Sequence, residues 1–298
     1  MRLSRFVRLS LLMFYLSMIA VAGLVQAAEF EPHVGQDGKD VVWVPTCQAL
    51  VDKMLDMAKV TPKDYVIDLG SGDGRTVITA AKRGARALGI EYNPDMVALS
   101  KSNAARERIT DKAQFIEADL FESDFSQATV ITMFLLPTIN LKLRPKILDL
   151  KPGTRIVSNS FTMEEWKADE TATVYSQTEN CGNYNTAYFW IVPAKVEGTW
   201  ILPQGKLTLK QEFQMISGTL ESGATVAPVN GKLSGDQITF SAGNVSYTGR
   251  VNGSIMQGTV TSGGITTPWS ATYVRKVFRV PSERRDKLAL PVRANFTP

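Results

Sequence analysis

The chain has 298 residues, of which 44% are hydrophobic and 21% charged, enough for folded cores and too mixed for a disordered or fibrous polymer. The formal charge of +4 is concentrated at the ends: Arg2, Arg5 and Arg8 precede any acid, and seven Lys/Arg from Arg275 onward face only Glu283 and Asp286. The body between them is net acidic and has no basic stripe to hold a phosphate backbone, so nucleic acid is not an expected partner. With the single His33 among Gly35, Gln36, Asp37 and Gly38, a rigid Ser-His-Asp triad has no suitable histidine. One His and two Cys also exclude a Cys/His zinc site, and no other metal is expected.

The first 27 residues read as a secretory signal. Three arginines lead into the uncharged stretch Leu9 to Val25, and Val25-Gln26-Ala27 places small residues for cleavage after Ala27. An uncleaved anchor is the other reading, and in both cases the positive flank leaves the body outside the cytosol, periplasmic or secreted. There Cys47 and Cys181 either form one disulfide or remain two buried thiols.

Residues 28–42 form a polar lead-in arm. A helix is predicted from Thr46, its N-cap, with Leu50, Val51, Met54, Leu55 and Ala58 on one face and Pro62 beyond its end. Tyr65 to Ile67 is the first strand, ending in Asp68-Leu69-Gly70, and a helix follows over Thr76 to Arg83. Ala87 to Ile90 is the second strand; Asn93-Pro94 then caps and opens another helix. Phe115-Ile116 and Val130 to Leu136 are strands three and four, Ile139 to Leu150 is helical, and Arg155 to Val157 and Tyr188 to Val192 complete the set. Such alternation predicts a parallel sheet covered on both faces, with ligands bound beyond the carboxyl ends of its strands. The residues at those ends are Asp68 to Gly74, Glu91 to Asn93, Asp119-Leu120 and Leu136-Pro137.

Asp68-Leu69-Gly70-Ser71-Gly72-Asp73-Gly74 links the first strand to a helix. A dinucleotide fingerprint needs Gly at position 75, which is Arg, and no Gly-Lys-Ser/Thr loop occurs. Asp68 and Asp73 disfavour a pyrophosphate and suit a cationic ligand bearing an amine. With Glu91 at the end of strand two and Asp119-Leu120 after strand three, this loop resembles the first motifs of class I S-adenosylmethionine-dependent methyltransferases. The resemblance implies a Rossmann-like methyltransferase domain using S-adenosylmethionine. It implies that Glu91 accepts from the ribose hydroxyls and that Asp119-Leu120 lies against the adenine amino group. It places Gly70, Ser71, Gly72, Asp73, Gly74, Tyr92 and Asn93 at the cofactor. Trp43-Val44-Pro45-Thr46 and Met133-Phe134-Leu135-Leu136-Pro137 are further similar to a bacterial branch related to the mitochondrial lysine methyltransferases of an ATP-synthase subunit, which adds Pro45 and Thr46 as residues closing over the cofactor. Where amide and base methyltransferases carry Asn/Asp-Pro-Pro-Tyr, this chain has Leu135-Leu136-Pro137-Thr138, a sequence compatible with a protein lysine as acceptor. No general base is assigned, and Asn140 is expected to be an exposed helix-start residue, with a polar contact at the acceptor as the other reading.

After Pro193 the composition changes: twelve of the 22 glycines fall between Gly198 and Gly264. Alternating runs at Lys206 to Leu209, Gln237 to Phe240, Val245 to Tyr247 and Ser270 to Tyr273 are separated by Asn230-Gly231, Asn252-Gly253 and Gly263-Gly264, which predicts a small antiparallel barrel or sandwich. Ile216 to Leu220 and Met256 to Val260 repeat a strand-Gly-Thr pattern, and Trp200 and Trp269 are expected to plug the interior. The expected domains are the signal 1–27, a methyltransferase domain 28–195, a β domain 196–275 and a basic tail 276–298, read as a solvated extension with contact to anionic membrane surface as a further possibility. The function expected is methyl transfer to a protein lysine outside the cytosol; a non-catalytic exported binding protein keeping the same fold is the alternative.

Overall fold

The computed structural model describes residues 30–176 and 181–274, which divide into two compact units. The expected export signal and the basic tail, with its possible membrane contact, lie outside the described residues. No helix among the described residues is long and apolar enough to cross a membrane.

The first unit alternates helices and strands: α1 (Gln48–Met57), β1 (Tyr65–Leu69), α2 (Arg75–Lys82), β2 (Arg86–Glu91), α3 (Pro94–Arg106), β3 (Ala113–Glu117), β4 (Val130–Met133), α4 (Pro137–Leu148), β5 (Arg155–Asn159), β6 (Glu170–Thr173) and β7 (Thr186–Ile191). The sheet order is β3-β2-β1-β4-β5-β7-β6. Its first five members pair in parallel, whereas β7 runs antiparallel to β5 and β6 antiparallel to β7, so the sheet is mixed rather than wholly parallel. The order reverses between β1 and β4, and a crevice opens there beyond the strand ends. Along β1, β4 and β5, Val66, Val130 and Val157 join the core under α1 and α2, while Ile67, Ile131 and Ile156 point to the opposite face and are buried as well. Both faces are therefore covered.

Two local expectations are corrected. Thr46 does not cap α1; Cys47 does, its carbonyl accepting from the Leu50 and Val51 amides, while the Thr46 hydroxyl accepts from Asn159. The fourth strand stops at Met133, because Leu136 already serves as N-cap of α4 and its carbonyl accepts from the Ile139 and Asn140 amides. Asn93 does cap α3, accepting from the Asp95 amide at 2.9 Å. Asn140 is fully buried rather than exposed: its side-chain amide donates to the Phe161 and Thr162 carbonyls.

The second unit is a closed eight-stranded antiparallel barrel: β8 (Gly198–Leu202), β9 (Gly205–Glu212), β10 (Met215–Ser222), β11 (Thr225–Ser234), β12 (Gln237–Ala242), β13 (Val245–Asn252), β14 (Ile255–Ser262) and β15 (Ile265–Tyr273). It closes because the short β8 pairs with β9 on one side and β15 on the other. Trp200 and Trp269 fill the interior as expected, donating to the Val196 and Thr248 carbonyls at 2.9 and 3.0 Å. Phe240, Tyr247 and Trp269 pack with centroids 4.6 to 5.5 Å apart. Asn230-Gly231 is not a turn but lies inside β11, where a Cβ on Gly231 would stand 2.3 Å from the Thr239 carbonyl oxygen. Close approach of neighbouring strands, not reversal of the chain, requires this glycine.

Candidate functional site

The site grows from the end of β1. Asp68 is buried on the last residues of that strand and accepts from the Thr132 hydroxyl of β4 at 2.6 Å. The chain then leaves the sheet through the glycine loop, whose Gly70 and Ser71 amides both donate to the Ile90 carbonyl at the end of β2. Gly72 and Gly74 adopt φ of 54° and 82°, values that side chains rarely tolerate. Each is also crowded: a Cβ on Gly74 would stand 2.7 Å from the Phe115 ring, and one on Gly72 would stand 2.6 Å from Trp43 Nε1. Trp43 belongs to the N-terminal arm, so the arm packs directly on the loop.

Glu91 organises the neighbouring strand end. One carboxylate oxygen accepts from the Gly72 amide at 2.9 Å, and the other accepts from the Tyr92 and Asn93 amides at 3.0 Å each. Three backbone donors fix the carboxylate while leaving lone pairs for a ligand. Asp73 is differently engaged: Arg75 grips it with Nε and Nη2, at 3.0 and 2.6 Å, and uses Nη1 to hold the Thr46 carbonyl at 2.8 Å. Asp119 pairs with Lys39 of the arm at 2.6 Å and accepts from the Phe121 amide. The Lys39 hydrogen bond holds the Asp119 carboxyl below its ordinary range and raises the Lys39 ammonium in return. Lys39 also lies 4.4 Å from the centre of the Tyr92 ring.

These groups line one cavity of about 390 Å³. Pro45, Thr46, Asp68, Gly70, Ser71, Gly72, Asp73, Glu91, Tyr92, Asn93, Asp119 and Leu120 all border it; Gly74 lies just behind, as N-cap of α2. Burial, with negative Glu91 and Asp73 nearby, pushes the Asp68 carboxyl up to about 7 against the relief from Thr132 and Thr76. A buried carboxylate without a cationic partner, facing a cavity, is a group that a positively charged ligand would stabilise. Among the described residues no cluster of His, Cys, Asp and Glu is arranged to hold a metal ion.

Residues 68–170 match the ANTKMT methyltransferase domain family. A protein-lysine N-methyltransferase from Saccharolobus islandicus is 41% identical over 156 residues, which cover 51% of this chain and 94% of that protein. A human lysine N-methyltransferase named for one of the subunits of ATP synthase is 34% identical over 128 residues, 43% of this chain and 54% of that enzyme, so this chain spans about half the length of the human relative. A solved RNA methyltransferase from Salinibacter ruber, in complex with S-adenosyl-L-homocysteine, is 43% identical, covers 51% of this chain and 96% of that chain, and has a TM-score of 0.48. This chain is a class I S-adenosylmethionine-dependent methyltransferase.

The donor set fits that cofactor. S-adenosylmethionine carries a sulfonium and an ammonium, which suit the uncompensated Asp68, and a ribose diol, which suits the fixed carboxylate of Glu91. The methyltransferase site also contains residues that sequence reasoning passed over. Residues 36–42, expected as a lead-in arm, border the cavity beside Trp43 of the motif that follows, with the Gly35 and Trp43 amides donating to Trp43 and Gln36 carbonyls. Ile139, Phe161 and Tyr184 border it too, beside Phe134, Leu135 and Leu136 of the motif after the fourth strand. The strand-end rule points to Phe134 and Phe161. The only sequence signal for Tyr184 was Cys181 three residues earlier, which is disulfide-bonded to Cys47 with Cα atoms 5.2 Å apart.

Proposed function

We propose that this methyltransferase methylates the side-chain amine of a protein lysine outside the cytosol. The observation that carries the acceptor reading is the composition of the cavity on the β4 side. There the chain offers Phe134, Leu135, Leu136 and Ile139 and no polar clamp of the kind an amide or a base needs. The lysine specificity in the names of the archaeal and human relatives supports the same reading.

When bound, S-adenosylmethionine supplies a methyl group already activated on a sulfonium, so the protein needs chiefly to position, desolvate and discharge the acceptor. Asp68 would balance the positive charge, Glu91 would hold the ribose, and Asp119 with Leu120 would border the base. Pro45 and Thr46 close the arm over the pocket, anchored through Arg75 and Asn159. Apolar surroundings would lower the pKa of an entering lysine ammonium, whose proton would pass to solvent; the free amine would then take the methyl group as the carbon–sulfur bond breaks and its electron pair stays on sulfur as a neutral thioether. The β barrel offers a surface for recognising a partner or a structural support.

Two features support the location. The charged, apolar, small-residue order of residues 1–27 is that of an exported chain, and a Cys47–Cys181 disulfide suits an oxidising compartment. The test is incubation of the mature protein with S-adenosylmethionine and a protein extract, read by peptide mass spectrometry. Methyl groups appearing on lysine are expected; methylation of RNA and of no lysine would reject the acceptor. Recovery of the chain from the cytosolic fraction with residues 1–27 intact and both thiols free would reject the location.

A further inference from the structure

The cavity is divided by the topology of the sheet. Glu91 ends β2 and Asp119 follows β3, on one side of β1; Phe134 follows β4, Phe161 follows β5 and Tyr184 precedes β7, on the other. The acids thus gather in one half and three aromatic rings in the other. The rings form a cluster of their own: Phe134 and Tyr184 meet edge-on with centroids 5.2 Å apart, Phe134 and Phe161 stack at 6.0 Å, and Phe161 and Tyr184 stand at 6.2 Å. Tyr184 remains 40% exposed, at the mouth.

Two of the rings are held from outside the cavity. Phe161 follows Ser160, which adopts φ of 59°, a strained value for a residue with a side chain; Ser160 Oγ donates to Asn159 Oδ1, and Asn140 grips the Phe161 carbonyl from below. Tyr184 closes a turn by donating its amide to the Cys181 carbonyl, and Cys181 is bonded to Cys47 at the start of α1. A purely apolar plug would not call for a strained residue, a buried amide and a disulfide to orient it.

We propose that Phe134, Phe161 and Tyr184 form an acceptor subsite that binds an alkylammonium through the faces of its rings, and that the Cys47–Cys181 bond positions Tyr184 there. The inference deepens the lysine reading and rests on it. A cation over an aromatic face is attracted by the ring quadrupole, most strongly where water is excluded, and a methylated ammonium is more cheaply desolvated than a bare one. The subsite therefore favours the methylated ammonium that transfer produces, while the bare lysine ammonium, more costly to strip of water, is the form this dry half disfavours.

The experiment uses the mature protein saturated with S-adenosylhomocysteine and two probes: N-acetyl-trimethyl-lysine amide and its neutral tert-butyl isostere. Calorimetry or ligand-observed NMR is expected to find the cation bound about tenfold or more tighter than the isostere. Tyr184→Ala and Phe134→Ala should each abolish that preference, Tyr184→Phe should retain it, and the affinity for S-adenosylhomocysteine should change by less than about threefold in all three. Reduction of the disulfide should weaken the cation alone. Equal binding of the two probes, no saturable binding at tens of millimolar, or a preference unaffected by the alanine variants would overturn the subsite. These readouts need no methyl transfer, so a wild-type protein that binds the cation but methylates no lysine would contradict the proposed acceptor and leave the subsite standing.

Discussion

Asp68 predicts an opposition between stability and ligand binding. Its carboxyl is buried and raised from an ordinary 3.8 to about 7 by burial and by the nearby charges of Glu91 and Asp73. A carboxyl whose folded pKa is raised binds more protons in the folded than in the unfolded state, so its contribution is fully present below the unfolded value and is lost as pH rises towards about 7. At 1.36 kcal/mol per pKa unit the loss is on the order of 4 kcal/mol, a ceiling because buried sites relax. Asp68→Asn keeps an acceptor for the Thr132 hydroxyl and removes the ionisation. The ligand-free variant should gain on the wild type between about pH 4 and about pH 7, by up to that ceiling. Denaturant unfolding of both proteins across that range measures it, and taking their difference cancels the titrating groups that do not interact with residue 68. Binding should move the opposite way. S-adenosylmethionine favours the carboxylate, so wild-type affinity should rise through about pH 7, with proton release below it detectable by calorimetry in buffers of unlike ionisation heat. The variant should bind at least about tenfold more weakly and release no proton there. A stability difference that is flat with pH, or a variant that binds as well as the wild type, would refute the placement of an uncompensated carboxylate at the cofactor.

Glu91→Gln should weaken S-adenosylmethionine binding by about tenfold or more, about 1.4 kcal/mol, because one amide-accepting oxygen becomes a donor facing the Gly72 amide; calorimetry measures it, and unchanged affinity would free Glu91 of its assigned contact. Reducing Cys47–Cys181, which closes a sequence separation of 134, should cost about 2–4 kcal/mol of unfolding free energy, read as a lower denaturant midpoint in reductant. Trp269→Ala, in the barrel interior against Phe240 and Tyr247, should cost about 3–5 kcal/mol in unfolding of the barrel, and a loss below about 1 kcal/mol would contradict the packing described.

Much of the fold was legible because the sequence was locally consistent with it. The apolar positions of α1 recur at helical spacing, Asn93-Pro94 is a cap signal with a mechanism, and the buried parallel strands read as short apolar runs. The failures are equally physical. Glu170–Thr173 was not anticipated as a strand, because it is a short, mostly exposed edge whose pairing with β7 alone gives it form. Asn230-Gly231 carries the signature of a hairpin turn, yet the same dipeptide serves inside β11, where the Thr239 carbonyl comes too close for any side chain. Asn140 looked like a solvent-facing helix start, because nothing local reveals that the Phe161 and Thr162 carbonyls wait to receive its amide.

The site divides along the same line. Its acidic half was readable because its chemistry is tied to strand ends in order: the Asp68 loop, then Glu91, then Asp119. What sequence did not convey is how each acid is occupied. Asp73 spends its charge on Arg75, and Asp119 spends its charge on Lys39, a residue of the arm eighty positions away. Asp68 is buried against the Thr132 hydroxyl rather than a cation, which makes it a better match for a ligand's positive charge than Asp73 or Asp119. The aromatic half was not legible as a unit, for the converse reason. Phe134, Phe161 and Tyr184 come from three separate strand ends and share no spacing, and an aromatic ring is the ordinary filling of a core. They acquire meaning only once the sheet order sets them opposite the acids. There a charged donor and an amine that must lose its charge need unlike surroundings, one half of the cavity polar and negative, the other dry.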